Sequence, residues 1–485
     1  MSIFISGKPV ACFARAGCAA LALKKQKTFQ SRAGKEGEVV EIHMPAQVRE
    51  IIKRLQQNGY QAYAVGGCIR DSLRGKTPQD WDIATNALPA QVVRCFSAYR
   101  LVQNGIAHGT IGVVLGRAVY EITTYRVDGA YSDNRHPDKV AYTGALEKDL
   151  ARRDFTINAM AYGEKEGIID CFGGRADLEK RRIRCVGDAQ KRFEEDALRM
   201  LRALRFASVL SFSIEAKTAQ AIHLKKALLT RVSAQRCAKE IRMLLLGENA
   251  GAVLRQFGDV LAVCIPELTP MFHFDQNTPY HNRSLWEHTA AAVQAVAAQE
   301  DLRLAMLFHD IGKPAVQTTD AQGVSHYHGH PAVSAKMARE ILTRMHFSKK
   351  CIERVAILIL YHDYRCAPAQ RAVRRLLQKT GADVARRLIQ VRRANAAAQS
   401  DFRRTEKIRL IDAYEATLQT VLENGDCFSL QDLAVCGDDL LALGIPQGKQ
   451  VGLLLNQLLN GVIEGSLPNQ KDILLQKAKQ LFYKE

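Results

Sequence analysis

The stretch "MPAQVREIIKRLQQNGYQAYAVGG", residues 44 to 67, changes its hydrophobic period once. Val48, Ile51, Ile52 and Leu55 recur three and four residues apart, which predicts a helix with one apolar stripe, stopped at Gly59. "AYAVGG" then reads as a short strand ending in a glycine pair. From there to about residue 170 short strands alternate with helices. "WDIAT" predicts a strand, and "TIGVVLGRAVYEITTYR" predicts a hairpin turning at Gly116-Arg117. After Leu178 strand signals fade. "FEEDALRMLRALRFASVL" and "RVAILILYH" carry a 3.6-residue period, so the remainder is expected to be mostly helical. The segment "CIPELTPMFHFDQNTPYHNRS", with three prolines, predicts a linker between helical regions. The fold class expected is α+β, a small mixed sheet with helices followed by mostly all-α structure.

Charge adds a partner to this outline. Across 485 residues, 68 Lys+Arg face 50 Asp+Glu for a formal +18, which suits a polyanion. No uncharged apolar run approaches ~18 residues, so no helical membrane span is expected. The 12 cysteines form no CxxC pair or regular framework, which fits reduced thiols and a cytoplasmic location. Residues 1–43 differ from the rest: up to Lys35 there is no acidic residue, while Lys8, Arg15, Lys24, Lys25, Lys27, Arg32 and Lys35 are basic. Either a targeting peptide or a disordered extension before Met44 has this composition, and the second is expected.

The candidate chemistry begins at "QDWDIAT". On a strand, Asp80 and Asp82 point to one side, and two carboxylates that close call for a proton or a cation. Mg²⁺, a hard ion that seeks oxygen, satisfies them, and two such ions clamp the attacking and leaving oxygens of a phosphoryl displacement. A lone DxD is more often a solvated loop, but the neighbours change the weighting. In "AVGGCIRD", Gly66 and Gly67 lie between strand and helix, where the backbone can approach a triphosphate, and Arg70 follows. On the hairpin strand Glu121 is a candidate third carboxylate, or else an exposed strand position.

"VGGCIRDSLRGKTPQDWDIAT" resembles the signature motif of class II tRNA nucleotidyltransferases and bacterial poly(A) polymerases, within the polymerase-beta-like nucleotidyltransferase superfamily. Four further motifs follow in order. "YRVDGAYSDNRHPDKV" is similar to the family's flexible loop, "DLARRDFTINAMAY" to its ribose-recognition motif, "DCFGGRADLEKRRIRCVGD" to its head–neck hinge, and "EEDALRMLRALRF" to the motif that chooses the nucleotide. The resemblance implies a nucleotidyltransferase head over 44–176, a helical neck over 177–264, a body over 265–400 and a tRNA-binding tail over 401–485. It implies that Arg153 and Asp154 hold ribose and phosphate, with Asn158 in support or simply structural. Asp196 and Arg199, spaced to share a helix face and pair, would present hydrogen-bonding groups to the base edge of CTP or ATP. Arg202 and Arg205 continue the basic stripe on that helix, and Met200, Leu201 and Leu204 form its buried side.

"LWEHT", "FHDIGKP", "HYHGHPAV" and "LYHDYR" supply His288, His309, Asp310, His330 and His362, which resemble the metal site of the HD superfamily of phosphohydrolases. A divalent transition metal suits such ligands. His326 and His328 read as bystanders, Asp363 as ligand or surface, and Asn395 stands where the family's last Asp is expected. In the tail, Gly444, Gly448 and Gly452 surround a turn into a helix, which either meets a phosphate or serves packing. The leading expectation is an enzyme adding C, C and A to the tRNA 3′ end from CTP and ATP. Poly(A) polymerase, a CC- or A-adding enzyme, and an HD phosphohydrolase with an RNA-binding head are its rivals.

Overall fold

A computed structural model describes residues 42–128, 140–364 and 367–483. The expected basic extension lies outside the described residues except for Ile42 and His43, and so does most of the expected flexible loop. The chain separates into two compact units. Among the described residues, one comprises 42–127 together with 142–150 and 158–172; the other holds 151–157 and those from Gly173 onward.

In the first unit, α1 (Ala46–Gln57) buries the predicted stripe of Val48, Ile51, Ile52 and Leu55. Gly59, at φ +85°, takes the left-handed conformation that ends it. Strands β1 (Ala62–Val65), β2 (Asp82–Thr85), β3 (Leu101–Val102), β4 (Thr110–Leu115), β5 (Ala118–Thr124), β6 (Ala161–Gly163) and β7 (Gly167–Ile169) form one sheet in the order β3-β4-β5-β2-β1-β6-β7. The β4–β5 hairpin turns at Gly116 as predicted, while β2 runs parallel to β5 and antiparallel to β1. Alternation along the strands sorts the core. Ala62, Ala64 and Ile83 join α1 on one face, with Ile42 and Met44 in the same cluster. Tyr63, Val65 and Ala84 meet Tyr125, Leu150 and Ala161 on the other. A short helix, α2 (Gly67–Leu73), leaves the end of β1.

The second unit is predominantly helical. Its helices include α3 (Ala189–Glu195), α4 (Leu198–Leu210), α5 (Ala234–Leu245), α6 (Leu285–Ala295), α7 (Glu300–Phe308), α8 (His330–Arg344), α9 (Lys349–Tyr361), α10 (Gln370–Ala398), α11 (Arg404–Glu423), α12 (Lys449–Glu464) and α13 (Lys471–Phe482). Near its start the fully buried Asp177 accepts from Thr156 Oγ1 at 2.7 Å, Arg182 Nε at 2.8 Å and Arg184 Nε at 2.7 Å. Burial raises this carboxyl's pKa, but those three donors outweigh it and hold the group below its ordinary range. The segment read as a linker is not loose. It buries Leu268, Met271 and Gln276 and so becomes part of the unit's interior. In the tail Gly448, at φ +146°, opens α12, and Gly452 lies inside that helix with open space around it. No helix among the described residues is long and apolar enough to cross a membrane.

Candidate functional site

Register brings the acids of the first unit together. Val65 pairs with Asp82 across β1–β2, and Asp82 pairs with Glu121 across β2–β5. Paired residues on adjacent strands stand about 4.8 Å apart with side chains on one face. Strand β2 opens at Asp82, so Asp80 lies in the lead-in and not, as expected, on the strand. The alternation nevertheless extends back to it: Asp80 and Asp82 are exposed, Trp81 and Ile83 buried. Burial and the charges of Asp82 and Asp80 push the Glu121 carboxyl above its usual range. A divalent cation would relieve this mutual repulsion, although the three carboxylates are not among the groups whose ligand atoms already converge.

One residue beyond Val65 the chain turns at Gly66, where φ is +85° and a side chain would be strained. Gly67 carries no such demand, because an added Cβ there would meet Arg70 Nη2 at an ordinary 3.5 Å. Gly66 N–H donates to Met160 O at 3.1 Å. Arg70 is buried and fixed on both sides: Nη1 donates to Asn158 Oδ1 at 2.7 Å, and Nε and Nη2 to the Asp71 carboxylate at 3.0 and 2.7 Å. Asn158 thus has a structural task, that of orienting Arg70.

In the second unit the helix predicted across "EEDALRMLRALRF" is broken. Asp196, at φ −141° and ψ 103°, is an extended residue between α3 and α4. The i,i+3 argument assumed unbroken helix, and the expected pairing with Arg199 gives way to two other ion pairs. Arg199 Nη1 donates to Glu195 Oε2 at 2.6 Å, and its Nη1 and Nη2 reach the carbonyls of Arg192 and Arg152. Asp196 Oδ2 accepts from Arg236 Nη2 at 3.3 Å, and its Oδ1 from Leu198 N–H at 3.1 Å. Met200, Leu201 and Leu204 are fully buried, as the pattern predicted. Arg153 is half-buried. Its neighbour Asp154 accepts from Arg202 Nε and Nη2 at 2.8 and 2.5 Å. Arg205 pairs with Glu240 at 3.0 Å. Sequence reasoning missed Glu195 and Arg236; Glu195 ends α3 only four residues before Arg199, whereas Arg236 is distant in sequence.

The five predicted ligands of the helical unit do converge. His288, His309 and Asp310 form one buried trio, and Asp310, His330 and His362 another. The adjacent His309 and Asp310 fall just past the end of α7. His309 follows α7 and His362 follows α9, while His330 opens α8. From these positions each ring reaches back to the carbonyl three residues earlier: Nδ1 lies 2.8 Å from Met306 O, 2.8 Å from Tyr327 O and 2.6 Å from Ile359 O. His288 Nδ1 lies 3.3 Å from Ala398 O. A carbonyl can only accept, so each neutral ring carries its proton on Nδ1 and turns the Nε2 lone pair inward. Asp310 Oδ1 sits 3.2 Å from His330 Nε2 and 3.5 Å from His362 Nε2 with no N–H aimed at it. Three converging acceptors fit a metal ion.

The other carboxylate oxygen is already served. Lys313 Nζ lies 2.7 Å from Asp310 Oδ2 and donates to the buried Gln276 at 2.8 Å. Burial opposes ionising Asp310, but its neighbours His309 and Lys313 outweigh that and hold its carboxyl well below the usual range. Burial lowers His288 and His309 in turn, which favours neutral rings. His281 packs its ring edge-on to His288 and is depressed to about 3, chiefly by burial. A cavity of about 450 Å³ opens at His330, lined also by Tyr327, Tyr361, Asp363 and Tyr364. Asp363 belongs to neither trio, and His326 pairs with Asp320 at 2.7 Å. Asn395 Oδ1 accepts from Gln399 Nε2 at 3.5 Å.

A mixed sheet with clustered acids beside a glycine turn, followed by a helical unit, defines the class as a nucleotidyltransferase. Residues 62–184 match the poly A polymerase head domain, 211–271 the probable RNA- and SrmB-binding site of polymerase A, and 330–478 a domain described as tRNA nucleotidyltransferase domain 2, putative. The CCA-adding enzyme of Levilactobacillus brevis is 32% identical over 444 residues, covering 89% of this chain and 98% of that one. The CCA-adding enzyme of Lactobacillus delbrueckii subsp. bulgaricus is 46% identical over 224 residues, 46% of this chain and 55% of the relative, so that match spans about half of its length. The crystal structure of the Bacillus stearothermophilus CCA-adding enzyme in complex with CTP superposes with a TM-score of 0.68 at 30% identity, covering 91% of this chain and 99% of that one. The chain belongs to the family of CCA-adding enzymes.

Proposed function

We propose that this protein adds C, C and A to the 3′ end of tRNA, using CTP and ATP and releasing pyrophosphate, in the cytoplasm. The observation that carries the reading is the register that sets Asp82 beside Glu121, one strand from the Gly66 turn. Asp80, Asp82 and Glu121 would hold Mg²⁺, which when bound lowers the pKa of the attacking hydroxyl and neutralises charge on the phosphates. The tRNA 3′-oxygen bonds to the α-phosphorus, and the bond to pyrophosphate breaks. The Gly66 turn lets backbone approach the triphosphate, with Gly67 beside it, and Arg70 is held rigid by Asp71 and Asn158. Asp196 accepts from the exocyclic amine that cytosine and adenine share, and Arg199 is the fixed donor. Arg153 and Asp154 serve ribose and phosphate, with Asp154 steadied by Arg202; Arg205 completes the basic helix.

The test is incorporation into tRNA lacking its terminus, with each labelled nucleotide alone and together. C followed by A, then arrest, supports the reading. Long A tracts point to poly(A) polymerase, C alone or A alone to a partial enzyme, and phosphate release without incorporation to a hydrolase.

A second reading concerns the helical unit: His288, His309, Asp310, His330 and His362 bind a divalent transition metal. It rests on the inward Nε2 lone pairs around Asp310, those of His330 and His362 beside Oδ1 and those of His288 and His309 beside Oδ2. Metal analysis of the purified protein tests it, and release of p-nitrophenol from p-nitrophenyl phosphate shows whether the centre also hydrolyses, with Asn395 where a carboxylate was expected.

A further inference from the structure

The two residues read as choosing the nucleotide are held very differently. Arg199 sits on the first turn of α4 and is anchored three times, by Glu195, the Arg192 carbonyl and the Arg152 carbonyl. Asp196 stands on extended backbone between two helices, its N–H bonded to the Arg192 carbonyl at 3.3 Å and its own carbonyl to Arg199 N–H at 3.0 Å, so its backbone is tied while its side chain leaves the helical face. Its carboxylate is oriented by the nearby Leu198 N–H and by one side chain from another helix, Arg236 of α5.

Helix α5 does more than touch Asp196. Arg236 meets Asp196, Glu240 meets Arg205, and the Leu244 carbonyl accepts from Ser208 Oγ at 2.6 Å. Positions 236, 240 and 244 are spaced by four, so they lie along one face of α5 and meet the selecting segment in order. The far end is pinned by close backbone approach. An added Cβ at Gly247 would come within 2.6 Å of Ser208 C, and Asn249 N–H donates to Ser208 O at 3.1 Å.

We propose that Arg236 is a positioning residue for nucleotide choice, with α5 acting as the ruler that sets where the Asp196 carboxylate points. The proposal rests on the reading that Asp196 meets the base edge. A different role is open to an arginine inside the segment matching a probable RNA-binding site, namely contact with a tRNA phosphate. The two separate cleanly: a phosphate contact adds affinity and salt dependence without base information, while a positioning residue affects which base is accepted.

The experiment measures kcat and KM for all four nucleotides, together with tRNA Kd across salt, for the wild type, Arg236→Gln, Arg236→Lys and Asp196→Ala. The expected result for Arg236→Gln is a loss of about tenfold in discrimination against UTP and GTP, with tRNA Kd and its salt slope unchanged. Arg236→Lys should recover part of that loss, since the charge returns without the planar fork. Wild-type discrimination in Arg236→Gln overturns the proposal, as does a weakened tRNA affinity with a shallower salt slope and intact choice. If Asp196→Ala itself leaves choice unchanged, the underlying reading of Asp196 has failed instead. The Arg236 side chain is partly exposed, so a folded variant is expected. Should Arg236→Gln not fold, Arg236→Met keeps the aliphatic stem and is judged by the same outcomes.

Discussion

The acids of the mixed-sheet unit and the histidine cluster of the helical unit are both candidate cation sites, and they are built on opposite principles. Asp80 and Asp82 are exposed, and their charges disfavour ionisation of Glu121. Nothing but backbone register brings Asp82 and Glu121 together. Asp310 and the four histidines around it are buried, and each imidazole is fixed by a backbone carbonyl before any ion arrives. An exposed acid site lets ions exchange with solvent along with each nucleotide, whereas a buried preset site favours retention. Strand pairing sets acids side by side, which would be enough for a hard ion that keeps its water. A transition-metal set of imidazoles needs each ring individually oriented.

Four outcomes would break or sharpen this contrast. The largest effect is expected for Asp82→Ala, which should cut nucleotide incorporation by at least about a thousandfold, because several kcal/mol of charge stabilisation goes with the ion. Filter binding should show tRNA affinity unchanged, since affinity comes mostly from phosphate contacts; full activity would remove the acids from the mechanism. Next, Asp310→Asn should strip the bound metal and leave the Lys313 ammonium buried without its counter-charge. That costs about 3–5 kcal/mol, read as a lower urea midpoint, with incorporation per folded molecule retained. A smaller change follows from Glu121. Its raised pKa means it protonates before an ordinary carboxylate as pH falls, so incorporation at low Mg²⁺ should drop severalfold on the acid side of neutrality. Added Mg²⁺ should move that inflection downward, and Glu121→Gln should erase it. The smallest effect concerns Asp177, whose depressed pKa contributes stability that is present above its unfolded value and lost as pH falls through the folded one. Asp177→Asn should flatten the stability profile only below the ordinary carboxylate range, as denaturant titrations at stepped pH would show.

Much of this was legible along the chain. The α1 stripe and the hairpin at Gly116 follow from local period and residue type, while Asp310 and its four histidines were found through residue type and a family resemblance. What was hidden depended on long-range packing or on a break in regular structure. Asp196 and Arg199 were read as a pair because their spacing is helical, but the backbone extends at Asp196 and each acquires another partner. Arg236 reaches Asp196 across 40 residues of chain, with no local signal to announce it. Gln276 was lost inside a proline-rich run taken for a linker, yet its buried side chain receives Lys313. Lys313 itself could have been found three residues after Asp310 in "HDIGKP", the spacing at which side chains in a helical turn meet.

That lysine bears on how the protein would endure metal scarcity. Because Nζ rests against Asp310 Oδ2, half of the aspartate's charge demand is met by a cation that can never diffuse away. A metal centre of this kind would keep a resident placeholder when emptied, with ions exchanging at the opposite oxygen.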